Sequence, residues 1–104
     1  MNSLASCVSV ALLTTLALSA HANKTLAEKA GCLGCHAAAS KLVGPSYQDV
    51  AAKYADQPDA KEKLAQSIRK GGVGSWGQMP MPPQTQLSEA DAKKLAAWIL
   101  GGAK

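Results

Sequence analysis

One short segment constrains this 104-residue chain more than any other: Cys32 to His36, with the sequence Cys-Leu-Gly-Cys-His. Its two cysteines are three residues apart, and residues at that spacing project from the same side of a helical turn. The histidine follows the second cysteine directly. Two thiols and an imidazole grouped in this way are typical of a metal or redox site.

The rest of the chain lacks the bulky side chains from which a small protein usually builds its core. It has no Phe, 2 Trp and 2 Tyr. A chain of this size buries only about 60% of its unfolded surface and usually needs a disulfide, a metal or another cross-link. The composition therefore predicts that a large apolar group other than the polypeptide completes the interior. The length excludes a multidomain enzyme.

Haem attachment explains both observations. Cys32 and Cys35 can each form a thioether with one vinyl group on the same edge of a porphyrin, and His36 then falls beneath the iron. One nitrogen of its imidazole can bind the metal while the other donates to a backbone carbonyl. We therefore predict one covalently attached haem c.

Three other kinds of site use the same residue types. A thioredoxin-like redox pair expects a βαβ context, and no strand pattern precedes the motif. A zinc site needs two more ligands, and His21 lies in a segment that we expect to be removed. A structural disulfide between Cys32 and Cys35 would constrain little of the chain. The haem interpretation is favoured over all three.

Residues 1–22 are predicted to be a cleaved signal peptide. Val8 to Leu18 form an apolar run that is shorter than the roughly 20 residues of a membrane span. An A-x-A cleavage site follows and ends at Ala22. Cleavage there leaves residues 23–104 as one periplasmic domain with no stable membrane insertion. An uncleaved anchor is the alternative, because the segment contains no Lys or Arg.

The charge of the chain bears on its partners. All 11 basic and all 7 acidic residues lie after the signal peptide, so the net charge of this part is 11 − 7 = +4. Nucleic-acid binding usually requires dense Lys/Arg stripes with stacking aromatic residues, which this chain lacks. A mild positive surplus fits weak docking to acidic partners. Lys29, Lys41 and Lys53 are candidates, and an ordinary solvated surface explains them equally well.

The chain contains helix caps and apolar residues at helical spacing, and it lacks the alternation of apolar and polar residues that is typical of strands. This pattern predicts an all-α fold of about four helices. The predicted cap residues are Thr25, Ser46, Asp59 and Ser88. The predicted segments run from Thr25 to Gly31, Tyr47 to Tyr54, Asp59 to Gly71 and Ser88 to Gly101. In the last of them, Leu95, Trp98 and Ile99 share one apolar stripe.

A Gly- and Pro-rich stretch from Gly71 to Gln86 separates the last two predicted helices, and we predict that it has no regular structure. Loops of this length in small domains are usually functional or disordered. It contains Met79 and Met81 in a Met-Pro-Met-Pro-Pro run, whose prolines stiffen the backbone. Because no second histidine remains after cleavage, either methionine is a candidate for the sixth iron ligand. Core filling is the alternative role.

Four stretches occur in an order that resembles one family: GCLGCHA, KLVGPSY, GGVGSWGQMPMPP and, in the last helix, AAWIL. Together they resemble the small bacterial class I cytochromes c of the c-551 type, over essentially all of Asn23 to Lys104. The resemblance implies a single small cytochrome c domain wrapped around a covalently attached haem. It also implies an electron-transfer protein and not an enzyme.

The resemblance implies roles for particular residues. Met81 would be the distal iron ligand, and Met79 would pack on the haem. The Pro45 carbonyl would accept a hydrogen bond from His36, and the indole N–H of Trp76 would donate to a haem propionate. The residues expected to wall the porphyrin or to pack the terminal helices are Leu64, Ile68, Leu95 and Trp98.

Two positions depart from the family pattern. Relatives often place a cation just before the residue matched by Ile68, near the propionates, but this chain has Ser67 there. Arg69 lies about 200° round the helix from that position and is a poor substitute. Gln84 stands where an amide that bonds the methionine sulfur is common. Such changes would adjust the reduction potential and would not abolish function.

These inferences predict a monomeric, periplasmic one-electron carrier with a His/Met-ligated haem c. The resemblance suggests respiratory partners such as a terminal oxidase, a nitrite reductase or a quinol-oxidising complex. Two alternatives stay open. One is a haem-based ligand binder or peroxidatic enzyme with an open iron face, and the other is the electron-transfer subunit of a larger oxidoreductase.

Overall fold

The structure is a computed structural model and describes residues 23–104. The predicted signal peptide and its cleavage site lie outside the described residues. Four helices follow in chain order: α1 over residues 23–29, α2 Tyr47–Tyr54, α3 Ala60–Lys70 and α4 Glu89–Leu100. The other regular elements are a 3-10 turn at Cys32–Gly34 and two strands, β1 Gly72–Gly74 and β2 Gly77–Met81. The prediction of about four helices is confirmed.

Two of the predicted helix caps form through serine side chains. The Ser46 hydroxyl accepts a hydrogen bond from the Asp49 amide at 3.1 Å, and the Ser88 hydroxyl accepts one from the Asp91 amide at 3.0 Å. Each serine thereby pairs one amide that has no partner within its helix. These contacts explain why α2 and α4 begin where the sequence predicts.

The other two caps differ from the prediction. Residue 23 is already helical, so Thr25 lies inside α1 and is not its N-cap. Asp59 does precede α3, but its side chain forms no cap hydrogen bond. Its φ of −107° and ψ of 27° lie outside the extended region in which a side chain reaches back to the helix amides. The carboxylate instead lies 3.2 Å from the Lys63 ammonium on the surface.

The core forms where α4 packs against α2 and α3. Leu95, Trp98 and Ile99 are buried on one stripe of α4, as predicted. Three alanines in the same core are completely buried: Ala27, Ala92 and Ala96. Small side chains let the helices approach closely, but they contribute little apolar volume. Within the described part of the chain, no helix is long and apolar enough to cross a membrane.

The stretch from Gly71 to Gln86 corrects the sequence prediction, because part of it is regular structure. Strands β1 and β2 pair antiparallel, with Gly72 opposite Met81 and Gly74 opposite Gly77. The last two glycines have φ values of 100° and 114°, which permit a tight turn. Pro80 is tolerated because a two-stranded sheet leaves one edge of each strand unpaired. We call this element the 72–81 hairpin.

Candidate functional site

An apolar cleft of about 400 Å³ lies between the helices and the 72–81 hairpin. This volume is typical of sites that hold small molecules or cofactors. Helices α2, α3 and α4 contribute to its walls, as do the hairpin and the segment between residues 32 and 45. The predicted site residues that line the cleft are Cys32, Cys35, His36, Pro45, Ile68, Trp76 and Met81.

The cysteine–histidine segment forms one wall of this cleft. The amides of Cys35 and His36 both donate to the Cys32 carbonyl, at 3.2 and 3.0 Å, so the segment turns tightly. Cys32 is half-buried and Cys35 is exposed, and the two thiols are free. Burial raises the pKa of the Cys32 thiol; a backbone hydrogen bond opposes this in part, and the nearby Cys35 adds to the rise.

The other kinds of site considered for this motif find no support. The described residues before the motif, 23–31, form a helix and a turn and contain no strand. Within residues 23–104 no three side chains among His, Cys, Asp and Glu are grouped as a metal site would require. The free thiols also leave no disulfide between Cys32 and Cys35.

His36 is held in one orientation from two sides. Its Nδ1 atom lies 2.8 Å from the Pro45 carbonyl oxygen. Because a carbonyl can only accept, Nδ1 carries the proton, and in the neutral imidazole the lone pair lies on Nε2. The Tyr47 ring stacks on the imidazole, with a centroid distance of 5.5 Å and an interplanar angle of 22°. An imidazole with this tautomer can bind a metal through Nε2.

Gly44 packs directly against the same imidazole. A Cβ atom at this position would overlap the ring and would lie 2.8 Å from His36 Nδ1. No local sequence signal marks Gly44, because the close approach joins residues that lie eight positions apart. The lack of a side chain at Gly44 therefore gives the imidazole its space beside Pro45.

We expect Gly44→Ala to destabilise the holoprotein by about 1–3 kcal/mol, because the added methyl group overlaps a ring that cannot move without losing its hydrogen bond. Chemical denaturation followed by circular dichroism measures this change. Gly34→Ala is the matched control, since a Cβ there meets no atom within 4 Å. Equal stability of the two variants would contradict the expected overlap.

Met79 and Met81 both line the cleft but differ in their surroundings. Met79 is 66% exposed, whereas Met81 is partly buried at the base of the hairpin. The Met81 carbonyl approaches Gly71, where a Cβ would overlap it. The backbone at Met81 is thus fixed against the end of α3, and Met79 lies nearer the solvent.

Trp76 lies in the hairpin turn, lines the cleft and is 42% exposed. Its indole N–H has no hydrogen-bond partner within the described part of the chain. The Lys53 ammonium lies 4.3 Å from the centroid of the Trp76 ring and donates to the Ser75 carbonyl at 2.8 Å. The indole N–H of Trp76 is therefore free to donate to a haem propionate, as expected from the resemblance.

The apolar residues that were expected to wall the porphyrin or to pack the terminal helices divide between these two positions. Leu64, Ile68 and Leu95 are buried and line the cleft. Trp98 packs edge-on against Tyr47 at a centroid distance of 5.3 Å, and its indole N–H donates to the Lys104 carbonyl at 3.1 Å. Trp98 therefore packs the terminal helices and does not wall the cleft.

The structure also shows the residues at the two positions that depart from the family pattern. Ser67 lines the cleft, but Arg69 lies in a separate groove and donates to the Leu87 carbonyl at 3.2 Å. The Gln84 side-chain amide donates to the Pro82 carbonyl at 2.9 Å. In this arrangement the amide bonds to the backbone and not to a methionine sulfur.

The cleft fits a large cofactor. Tyr47 was not identified from sequence, yet its buried hydroxyl has no hydrogen-bond partner within the described residues. Burial raises the pKa of Tyr47 well above its usual range, and Cys32 adds to this effect. An unpaired buried hydroxyl is costly. Its presence beside an apolar cleft fits a site that is completed by a group other than these side chains.

The comparison with known proteins identifies that group. The family model described as cytochrome c matches residues 20–103. The chain belongs to the cytochrome c family. This cytochrome carries one covalently bound haem c, with Cys32 and Cys35 at the spacing that attachment requires. It is an electron carrier and not an enzyme.

Its relatives are small bacterial cytochromes. The cytochrome is 49% identical over 87 residues to cytochrome c-551 of Allochromatium vinosum, covering 84% of this chain and 93% of the relative. It is 54% identical over 79 residues to cytochrome c-552 of Hydrogenobacter thermophilus, covering 76% and 80%. The crystal structure of wild-type Nitrosomonas europaea cytochrome c552 matches with a TM-score of 0.74 and 52% identity, covering 76% of this chain and 98% of that one.

Proposed function

We propose that this cytochrome is a periplasmic one-electron carrier whose haem iron is bound by His36 and Met81. The arrangement of His36 carries the proposal: it lines the cleft with its Nδ1 proton engaged by Pro45 and its Nε2 lone pair free. Met81 lines the same cleft from the hairpin. Nitrogen and thioether ligands together favour electron transfer at a raised reduction potential.

Four residues support attachment and orientation of the cofactor in this proposal. Cys32 and Cys35 would form the two thioethers, since both thiols are free and face the cleft. Ile68 offers an apolar wall, and the free indole donor of Trp76 would bind a carboxylate of the haem. When bound, haem c supplies an iron couple that cycles between the ferric and ferrous states.

The protein's contribution to electron transfer is to hold these groups still. The Pro45 carbonyl keeps the proton on His36 Nδ1, so that Nε2 would remain the iron-binding nitrogen in both redox states. The backbone of Met81 is fixed where the hairpin meets α3. An electron carrier requires that its ligands and backbone rearrange little when it gains or loses an electron.

Partners would meet the cytochrome at the mouth of the cleft. Val43, Val73 and Met79 are exposed there, and Lys41 lies beside them. Weak redox encounters use small interfaces, and a patch of this kind is sufficient for one. We propose respiratory partners of the kinds named above, namely a terminal oxidase, a nitrite reductase or a quinol-oxidising complex. A periplasmic location is supported by the predicted signal peptide.

We expect the purified ferrous protein to resist carbon monoxide, because a bound methionine fills the sixth position. Absorbance in the Soret region after mixing with carbon monoxide measures this. A pyridine haemochrome spectrum of the same sample confirms that the haem is bound through two thioethers. Rapid carbon monoxide binding by the wild type would instead support a ligand-binding or peroxidatic haem protein.

A further inference from the structure

We propose that Lys53 holds the turn of the 72–81 hairpin over the cleft, which positions Trp76 directly and limits the movement of strand β2, at whose base Met81 lies. The role of Met81 rests on the function proposed above, but the contact between Lys53 and the hairpin does not. The lysine belongs to α2, and its partners lie 22 residues further along the chain. It therefore joins two elements that no local sequence signal connects.

The hairpin needs such a contact because it has little packing of its own. Every residue of β1 and β2 is exposed except Met81, which is partly buried. Glycines occupy three of its eight strand positions: Gly72, Gly74 and Gly77. A two-stranded hairpin on its own is marginally stable in water. The contacts that it makes with the helices must therefore hold it in place.

The backbone contacts of the hairpin with α3 lie at its base. The Gly71 amide donates to the Ser67 carbonyl at 2.9 Å, and the Gln84 amide donates to the Ile68 carbonyl at 3.1 Å. Both bonds flank the hairpin and leave its turn free. Backbone contact with the helices therefore fixes where the hairpin starts and ends, but not the angle at which its turn lies over the cleft.

Lys53 contacts the turn twice. Its ammonium donates to the Ser75 carbonyl at 2.8 Å and lies 4.3 Å from the centroid of the Trp76 ring. Among the described residues no other side chain forms a hydrogen bond with the hairpin. A charged donor on a carbonyl and a cation over an indole face are both favourable, and here one ammonium makes both contacts.

The charges around Lys53 favour this placement. The concavity beside it is also lined by Lys63 and Lys70 and by no carboxylate. Lys63 is paired with Asp59 at 3.2 Å, whereas no carboxylate within the described residues pairs with Lys53. Asp49 lies one helical turn before Lys53, but the groups that the ammonium contacts in this structure are the Ser75 carbonyl and the Trp76 ring.

The test uses the holoprotein and the variant Lys53→Met, which keeps the length of the side chain and removes its charge. We expect amide hydrogen exchange in the hairpin to become faster, on the order of fivefold, because both contacts of the ammonium are lost. Binding of cyanide to the ferric protein should accelerate by a similar factor, since displacement of Met81 requires the hairpin to move.

Two matched variants sharpen the test. Lys53→Arg keeps a cation that can donate to a carbonyl and stack on an indole, and it should restore most of the wild-type exchange rate. Lys63→Met removes a neighbouring charge that does not contact the hairpin, and it should leave both rates unchanged. The global unfolding midpoint of each variant shows whether a change is confined to the hairpin.

Unchanged hairpin exchange in Lys53→Met would overturn the proposal, as would equal acceleration in Lys63→Met. Faster exchange with an unchanged cyanide rate would contradict the effect of Lys53 on the movement of β2 at Met81. Failure of the proposed ligation is recognised separately, from the absorption spectrum of a Met81 variant. Hairpin exchange reports on Lys53 whichever methionine binds iron.

Discussion

Met81→Ala should abolish the far-red absorption band of the ferric protein, which reports a bond between methionine sulfur and haem iron. The reduction potential should fall markedly, because the thioether that favours ferrous iron is lost. The structure supports this choice of methionine, since Met81 lies partly buried where its backbone is fixed against α3. The absorption spectrum and a redox titration of the holoprotein measure the two effects.

Met79→Ala is the matched control, because Met79 lines the same cleft two residues earlier in the same strand. Its side chain is largely exposed, so its removal should leave the far-red band in place and change stability little. Loss of the band in Met79→Ala and its retention in Met81→Ala would overturn the assignment of the ligand.

Cys35→Ala should lower the yield of holoprotein in cells by roughly an order of magnitude, because one of the two covalent links to the cofactor is removed and folding depends on that cofactor. The core explains the expected size of this effect. Three of its residues are fully buried alanines, which offer little apolar surface to hold the helices together without a cofactor. Haem staining and absorbance at equal expression measure the yield.

Ser40→Ala is a suitable control, since Ser40 is exposed in the same segment and does not line the cleft. It should leave the yield unchanged. A remaining single thioether in Cys35→Ala should also be visible as a shifted pyridine haemochrome band. Wild-type yield in Cys35→Ala would contradict attachment through two thioethers.

Features that depend on neighbouring residues were predictable. Ser46 and Ser88 cap helices because a serine hydroxyl reaches an amide three residues later, and such contacts leave a local signal. The motif from Cys32 to His36 is equally local, and its residues do line one cleft. Asp59 shows the limit of this reasoning, since its backbone angles direct the side chain away from the helix amides.

The hairpin could not be predicted from its composition. Glycine and proline usually break regular structure, so the stretch from Gly71 to Gln86 indicated an irregular loop. The glycines at 74 and 77 have positive φ and permit the tight turn that brings β1 and β2 together. Residue type alone does not tell whether a glycine ends an element or turns a chain back on itself.

Helix signals were enough to infer a helical domain. The composition and the cysteine–histidine motif were enough to infer that a covalently bound haem completes it, because attachment depends on three residues within one turn. The orientation of His36 depends also on Gly44 and Tyr47, and the position of the hairpin turn depends on Lys53. These contacts join residues that lie eight or more positions apart. They exist only after the helices have packed, since packing fixes the distances and angles on which they depend.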